Sequence, residues 1–136
     1  MGGRGSFART KGNNQNEQFI SVGRLGDFPI LETNGNTNQH GLPFESHLSR
    51  GYLKFTHDEP KVFKELRLYS PDHKVRIEIA YHREKHLSQD PKENVLHYHV
   101  YEYHGNEISR SKAIKMHKDM CMYKKYKKYF VGVPEL

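Results

Sequence analysis

Asn94–Asn106, NVLHYHVYEYHGN, carries three histidines and three tyrosines in thirteen residues. In an extended chain Val95, His97, His99, Tyr101 and Tyr103 share one face, and Leu96, Tyr98, Val100 and Glu102 share the other. That period of two, with its β-branched and aromatic content, predicts a strand over 95–103 that stops at Gly105-Asn106.

The run before it, Val75–His82 (VRIEIAYH), alternates in the same way. Val75, Ile77, Ile79 and Tyr81 point one way; Arg76, Glu78, Ala80 and His82 point the other. Phe63–Ser70 sets Leu66 and Leu68 against Phe63, Glu65, Arg67 and Tyr69. Between these runs lies Ser70-Pro71-Asp72-His73, where Pro suits the second turn position and Asp bonds its own backbone. The pair predicts a β-hairpin. Tyr52–His57 reads as a further strand, Pro60 interrupts it, and Arg83–Glu93 reads as a charged loop too polar for burial.

Further upstream, Phe19–Val22 and Phe28–Leu31 predict short strands split by Gly23 and Gly26, and Pro29 places the second at an edge or in a loop. Thr33–Gly41 is a polar loop. Leu42–Gly51 is expected to hold one helical turn ending at Gly51. Residues 1–18 cannot bury enough apolar surface to offset the entropy of ordering, so they read as a flexible basic arm with Arg4, Arg9 and Lys11.

Downstream, Ser109 or Ser111 is a capping residue for a helix to about Phe130. Ala113, Met116, Met120, Tyr123 and Phe130 form its apolar stripe, and Cys121 is expected to pack beside Met120 and Met122. The outer face is cationic: eight Lys or Arg lie between Arg110 and Lys128, against one acid, Asp119. The fold expected is α+β, with an arm at 1–18 and a single domain at 19–136. In it a small antiparallel sheet of four or five strands packs against a long basic C-terminal helix. A dimer through the edge near Phe28–Leu31 is conceivable.

Composition bounds function. In 136 residues there is room for one modest core, since only 35% are hydrophobic and none is Trp. One cysteine permits no internal disulfide and fits a reducing compartment. A net charge of +6 favours polyanions: nucleic acid or an acidic protein face. With no apolar leader and no membrane-length run, a soluble cytoplasmic protein is expected. P-loop, dinucleotide-binding, serine-nucleophile and H-E-x-x-H patterns are absent.

The chemistry of the sequence concentrates on histidine. His97 and His99 share a strand face about 7 Å apart at the backbone. They are candidates for a base and an acid in RNA cleavage at a 2′-OH, with His82 beside them and Arg67, Arg76 or a helix lysine holding the phosphate. Tyr98, Tyr101 and Tyr103 are candidate platforms for bases, with His104 at the end of the strand. Lys124, Lys125, Lys127 and Lys128, interleaved with Tyr126 and Tyr129, and the arm residues Arg4 and Arg9 are candidate nucleic-acid or partner contacts. Cys121 stands alone and the histidine spacings match no standard zinc pattern, so no metal and no cofactor are expected.

The opening Met1–Gly5 (MGGRG), the turn Leu68-Tyr69-Ser70-Pro71-Asp72, the strand Ile77–His82 and the H-x-H of His97 and His99 together resemble small, uncharacterised proteins of bacteriophages and prophages. Leu96 stands where those relatives often have Pro. A looser resemblance is to phage toxin-like nucleases of the barnase–EndoU–colicin–RelE group. It implies a small antiparallel sheet packed on helices and metal-independent RNA cleavage. Three readings follow from the resemblance and the residues. The first is a phage-encoded protein directed at RNA or another polyanion, such as a metal-independent ribonuclease. The second is a non-catalytic inhibitor of a host defence complex, similar to anti-CRISPR proteins. The third is a minor virion or packaging accessory protein. All three place the protein in the host cytoplasm.

Overall fold

A computed structural model describes residues 18–34, 41–46 and 48–136. The expected arm, with Arg4 and Arg9, and most of the Thr33–Gly41 loop lie outside these residues. The described chain is mainly strand: β1 (Gln18–Leu25), β2 (Phe28–Asn34), β3 (Gly51–Phe55), β4 (Phe63–Tyr69), β5 (Val75–His82), β6 (Val95–His104), β7 (Glu107–Arg110) and β8 (Ile114–Lys115). One helix, α1 (Cys121–Tyr126), continues into a single 3-10 turn at Lys127–Tyr129. The strand order is β1-β2-β3-β4-β5-β6-β7, with β8 also on β6.

This corrects the expected fold class. The sheet is larger than four or five strands and is mixed, because β2 and β3 pair in parallel at Ile30↔Leu53. The long basic helix is absent among the described residues. Its expected first half holds strand segments instead of helix: β7 pairs with Tyr101–His104 and β8 with His97 and Tyr98. The free edge of β6 offers a row of N–H and C=O groups to this segment, and that pairing outweighs a helical stripe with no capping bond. Only the last part of the stripe is helical, and Met120 caps it without a side-chain bond. Cys121 opens the helix and is exposed rather than packed.

Two compact units divide the chain. The first holds β1, β2, most of β3, and residues 66–76. There β2 lies between β1 and β3, so Pro29 sits inside a paired strand and the Phe28–Leu31 segment is no edge. The 42–51 segment makes no helical turn among its described residues; Glu45 instead bridges Lys74. The expected turn is present, with His73 N–H donating to Ser70 O at 2.8 Å between β4 and β5. Buried Leu31, Leu42, Tyr52 and Leu53 belong to this unit's core.

The second unit holds residues 55–65 and 77–136. Its interior contains Phe63, Ile79, Ala80, Leu96, Met116, Tyr123 and Phe130, with the Phe63 and Phe130 rings 4.8 Å apart. Phe63 N–H donates to Val131 O at 2.8 Å, which ties the C-terminal segment to β4. Among the described residues no helix is long and apolar enough to cross a membrane.

In the first unit, Gly51 has no room for a methyl group. A Cβ there would lie 2.7 Å from the Phe28 ring and 3.2 Å from Arg67 O. Phe28 is buried and cannot swing aside freely. We expect Gly51→Ala to cost about 1–3 kcal/mol, read as a lower midpoint in urea unfolding.

Candidate metal centre

β5 and β6 pair antiparallel with Ala80 opposite His97, Glu78 opposite His99 and His82 opposite Val95. Directly opposed residues share a face. His82, Ala80 and Glu78 therefore line the same side as His97, His99 and Tyr101. This is the side that the alternation of the sequence assigns to the histidines. Ala80 is the smallest member of the row, and it leaves space for the His97 ring beside it. The His97 ring contacts His82 at 4.7 Å and His99 at 5.5 Å between centroids, both nearly perpendicular.

Both central histidines are buried, His97 fully and His99 at 4% exposure. Each ring is fixed through Nδ1: His97 to Val95 O and His99 to Ser111 O, both at 2.8 Å. A carbonyl only accepts, so each Nδ1 carries a proton, and in the neutral ring Nε2 then presents a lone pair. Neither Nε2 has a hydrogen-bond partner. His82 repeats the pattern, with Nδ1 at 2.7 Å from Arg83 O.

The His99 anchor comes from a bulge. From Tyr101 to Tyr98 β6 moves three residues, while its partner moves four, from Arg110 to Ile114. The extra residue opens the ladder at Ser111. Its N–H donates to Val100 O, its Oγ accepts from Val100 N–H, and its carbonyl turns to His99.

A third donor comes from the loop after β5. A carboxylate oxygen of Glu84 and one nitrogen of each of His97 and His99 lie within 4.8 Å of one another. Glu84 is half-buried, and its loop is braced by Ser88, whose Oγ accepts from Glu84 N–H and donates to Glu93 O. Donors around a tetrahedral ion at about 2.1 Å sit about 3.4 Å apart, so shifts on the order of an ångström close the set. Two neutral imidazoles and a carboxylate suit a divalent first-row transition ion. The Nδ1 bonds to backbone are the supports that metal-ligating histidines use.

The other sequence candidates lie elsewhere or have other partners. Arg67 belongs to the first unit, is buried, and donates to Leu42 O at 2.8 Å, with its guanidinium over the Phe44 ring. Tyr101 is buried and donates its hydroxyl to Glu78 at 2.7 Å, so it is no platform for a base. Tyr98 lies on the opposite face, across from Ile79 and Ile114. Tyr103 is half-buried, and His104 is exposed, 3.7 Å from Glu102. Lys124, Lys125, Lys127 and Lys128 are exposed; Lys125 and Lys128 lie over Tyr126 and Tyr129, and Lys127 pairs with Glu135, which raises its pKa.

Sequence reasoning missed Glu84, Ser111 and the contact of Arg110 with Glu78. Only Glu84 left a trace: His82-x-Glu84 repeats the two-residue spacing of His97 and His99. Compared with family models, curated proteins and solved structures, the chain matches none of them.

Burial holds His97 below the ordinary imidazole pKa of 6.5, and His82 and His99 add to that; the Val95 carbonyl and Glu84 act the other way. The folded chain therefore resists a proton that the unfolded chain accepts below 6.5. Stability from this group is present above that pH and is lost as pH falls. In chelator, we expect stability to drop by at most about 1.4 kcal/mol per pH unit for this one proton, and His97→Phe to flatten the dependence in urea titrations.

Proposed function

We propose that the protein is a metal-dependent hydrolytic protein directed at RNA or another polyanion, with a divalent transition ion held by His97, His99 and Glu84. The observation that carries this reading is the pair of buried Nε2 atoms with no hydrogen-bond partner, on two imidazoles that cluster with the Glu84 carboxylate. A buried acceptor left unpaired costs about 1–3 kcal/mol, and a cation is the ligand that two lone pairs and an anion accept together. Bound there, the ion supplies a Lewis acid and a water of lowered pKa. Three protein donors leave a fourth position for that water, as in catalytic rather than closed structural centres. Glu84 is the half-buried member, so it is the side of the set nearest to solvent.

The same facts weigh against His97 and His99 as a metal-independent acid–base pair. Such a pair needs one protonated ring and one neutral ring, both in reach of a 2′-OH. Here both Nδ1–H groups are committed to carbonyls, His97 is held neutral by burial, and neither ring is exposed. The charge of +6 and the exposed lysines of the C-terminal segment support a polyanion as the target.

Purified protein dialysed against Zn(II) is expected to retain one equivalent. Zinc at about a hundred times its Kd adds about 2.7 kcal/mol to unfolding stability. His97→Ala and His99→Ala should retain none, and Glu84→Gln should bind roughly tenfold or more weakly. RNA cleavage should stop in EDTA and return with added ion. Failure to bind any ion, or cleavage that persists in EDTA, overturns the proposal. Zinc binding with no cleavage under any of these conditions removes its hydrolytic half.

A further inference from the structure

We infer that Arg110 and Lys115 hold two phosphates of a single-stranded nucleic acid along the strand edge beside the His97–His99–Glu84 centre. Two segments share the outer edge of β6. Arg110 of β7 lies opposite Tyr101, and Lys115 of β8 lies opposite His97. Opposed residues share a face, so both cations stand on the side that carries the histidines. His99 lies between them along β6.

Arg110 is placed with some rigidity. Its Nη2 is 3.2 Å from Glu78 Oε2, while the other oxygen of Glu78 accepts from Tyr101. Glu78 is buried at 6% side-chain exposure, and Arg110 is 49% exposed. A guanidinium has five donors in a fixed fork. One edge is held by the buried carboxylate, and the solvent-facing remainder has the geometry for a phosphate. Neutralising Glu78 alone would account for Arg110, but not for Lys115. Lys115 is exposed and has no acidic partner among the described residues.

Their partners on β6, His97 and Tyr101, are four positions apart, about 13 Å along the strand and about two phosphodiester repeats. That is too long for one small phosphate ester and suits an extended phosphodiester chain. The inference rests on the metal reading for the chemistry between the two cations, but not for the binding itself.

The test is fluorescence anisotropy of a labelled short oligouridylate with the full chain in EDTA, so that failure of the metal reading leaves the result intact. Arg110→Gln and Lys115→Gln are each expected to weaken binding about fivefold at 0.1 M salt, and to lower the slope of log K against log salt by about 0.7. The double variant should lose about twenty-five-fold. Lys124→Gln/Lys125→Gln is the comparison. An unchanged affinity and slope in the double variant overturns the inference, as does a loss confined to Lys124→Gln/Lys125→Gln. Should Arg110→Gln unfold because buried Glu78 loses this ion pair, Lys115→Gln decides alone, since that exposed side chain has no ion pair among the described residues.

Discussion

Two imidazoles tied by Nδ1 to backbone carbonyls, with their other nitrogens buried and unpaired, are the constraint that the second unit is built around. The cost is on the order of 2–6 kcal/mol for the pair, against a net stability of about 5–15 kcal/mol for a typical domain. A Leu or Phe at either position would avoid it. The chain instead places histidine twice on one face and fits Ala80 against the first ring. Such a cost is sustained where it is relieved by a ligand. A ligand that takes both lone pairs then couples its own binding to folding, because the donors converge only in the folded chain.

The bulge at Ser111 gives this arrangement its second level. In a regular strand, residues five apart, such as Arg110 and Lys115, point to opposite faces. Their partners on β6, Tyr101 and His97, are four apart and share a face. One extra residue reconciles the two counts and brings both cations to the histidine side. The same residue frees the carbonyl that fixes His99. A single irregularity thus sets a tautomer, a ring orientation and the placement of two charges.

The alternation of β5 and β6 was legible because each strand pairs along its length and period two survives in the residues. The helix beyond Ser109 was misread for a related reason. Ala113, Met116, Met120 and Tyr123 fit a helical stripe locally, but the outcome turned on the unpaired edge of β6, which no local window contains. The Arg83–Glu93 loop was read as wholly exposed from its charge, yet Glu84 is half-buried with its carboxylate turned to two imidazoles. The H-x-H itself was plain in the sequence. Its chemistry was not, since that depends on which carbonyls meet Nδ1, and Ser111 reaches His99 only through the bulge. In β4, Glu65 and Arg67 are buried charges on a strand face that also carries Phe63 and Tyr69. Residue type alone does not separate such interior cations from working ones.

That distinction governs how the net charge of +6 should be understood. Arg67 is spent on Leu42 and Pro43 carbonyls. Lys125 and Lys128 are exposed and lie over neighbouring rings at 5.4 and 5.2 Å. Charges of that second kind raise the local concentration of a polyanion without fixing its register. Arg110 differs because a buried carboxylate holds it before any ligand arrives, so less ordering remains to be done on binding. Long-range attraction and local placement are then separate properties of one basic chain. The first is dispersed over many lysines. The second is seen in Arg110, at the edge of the strand that carries His97 and His99.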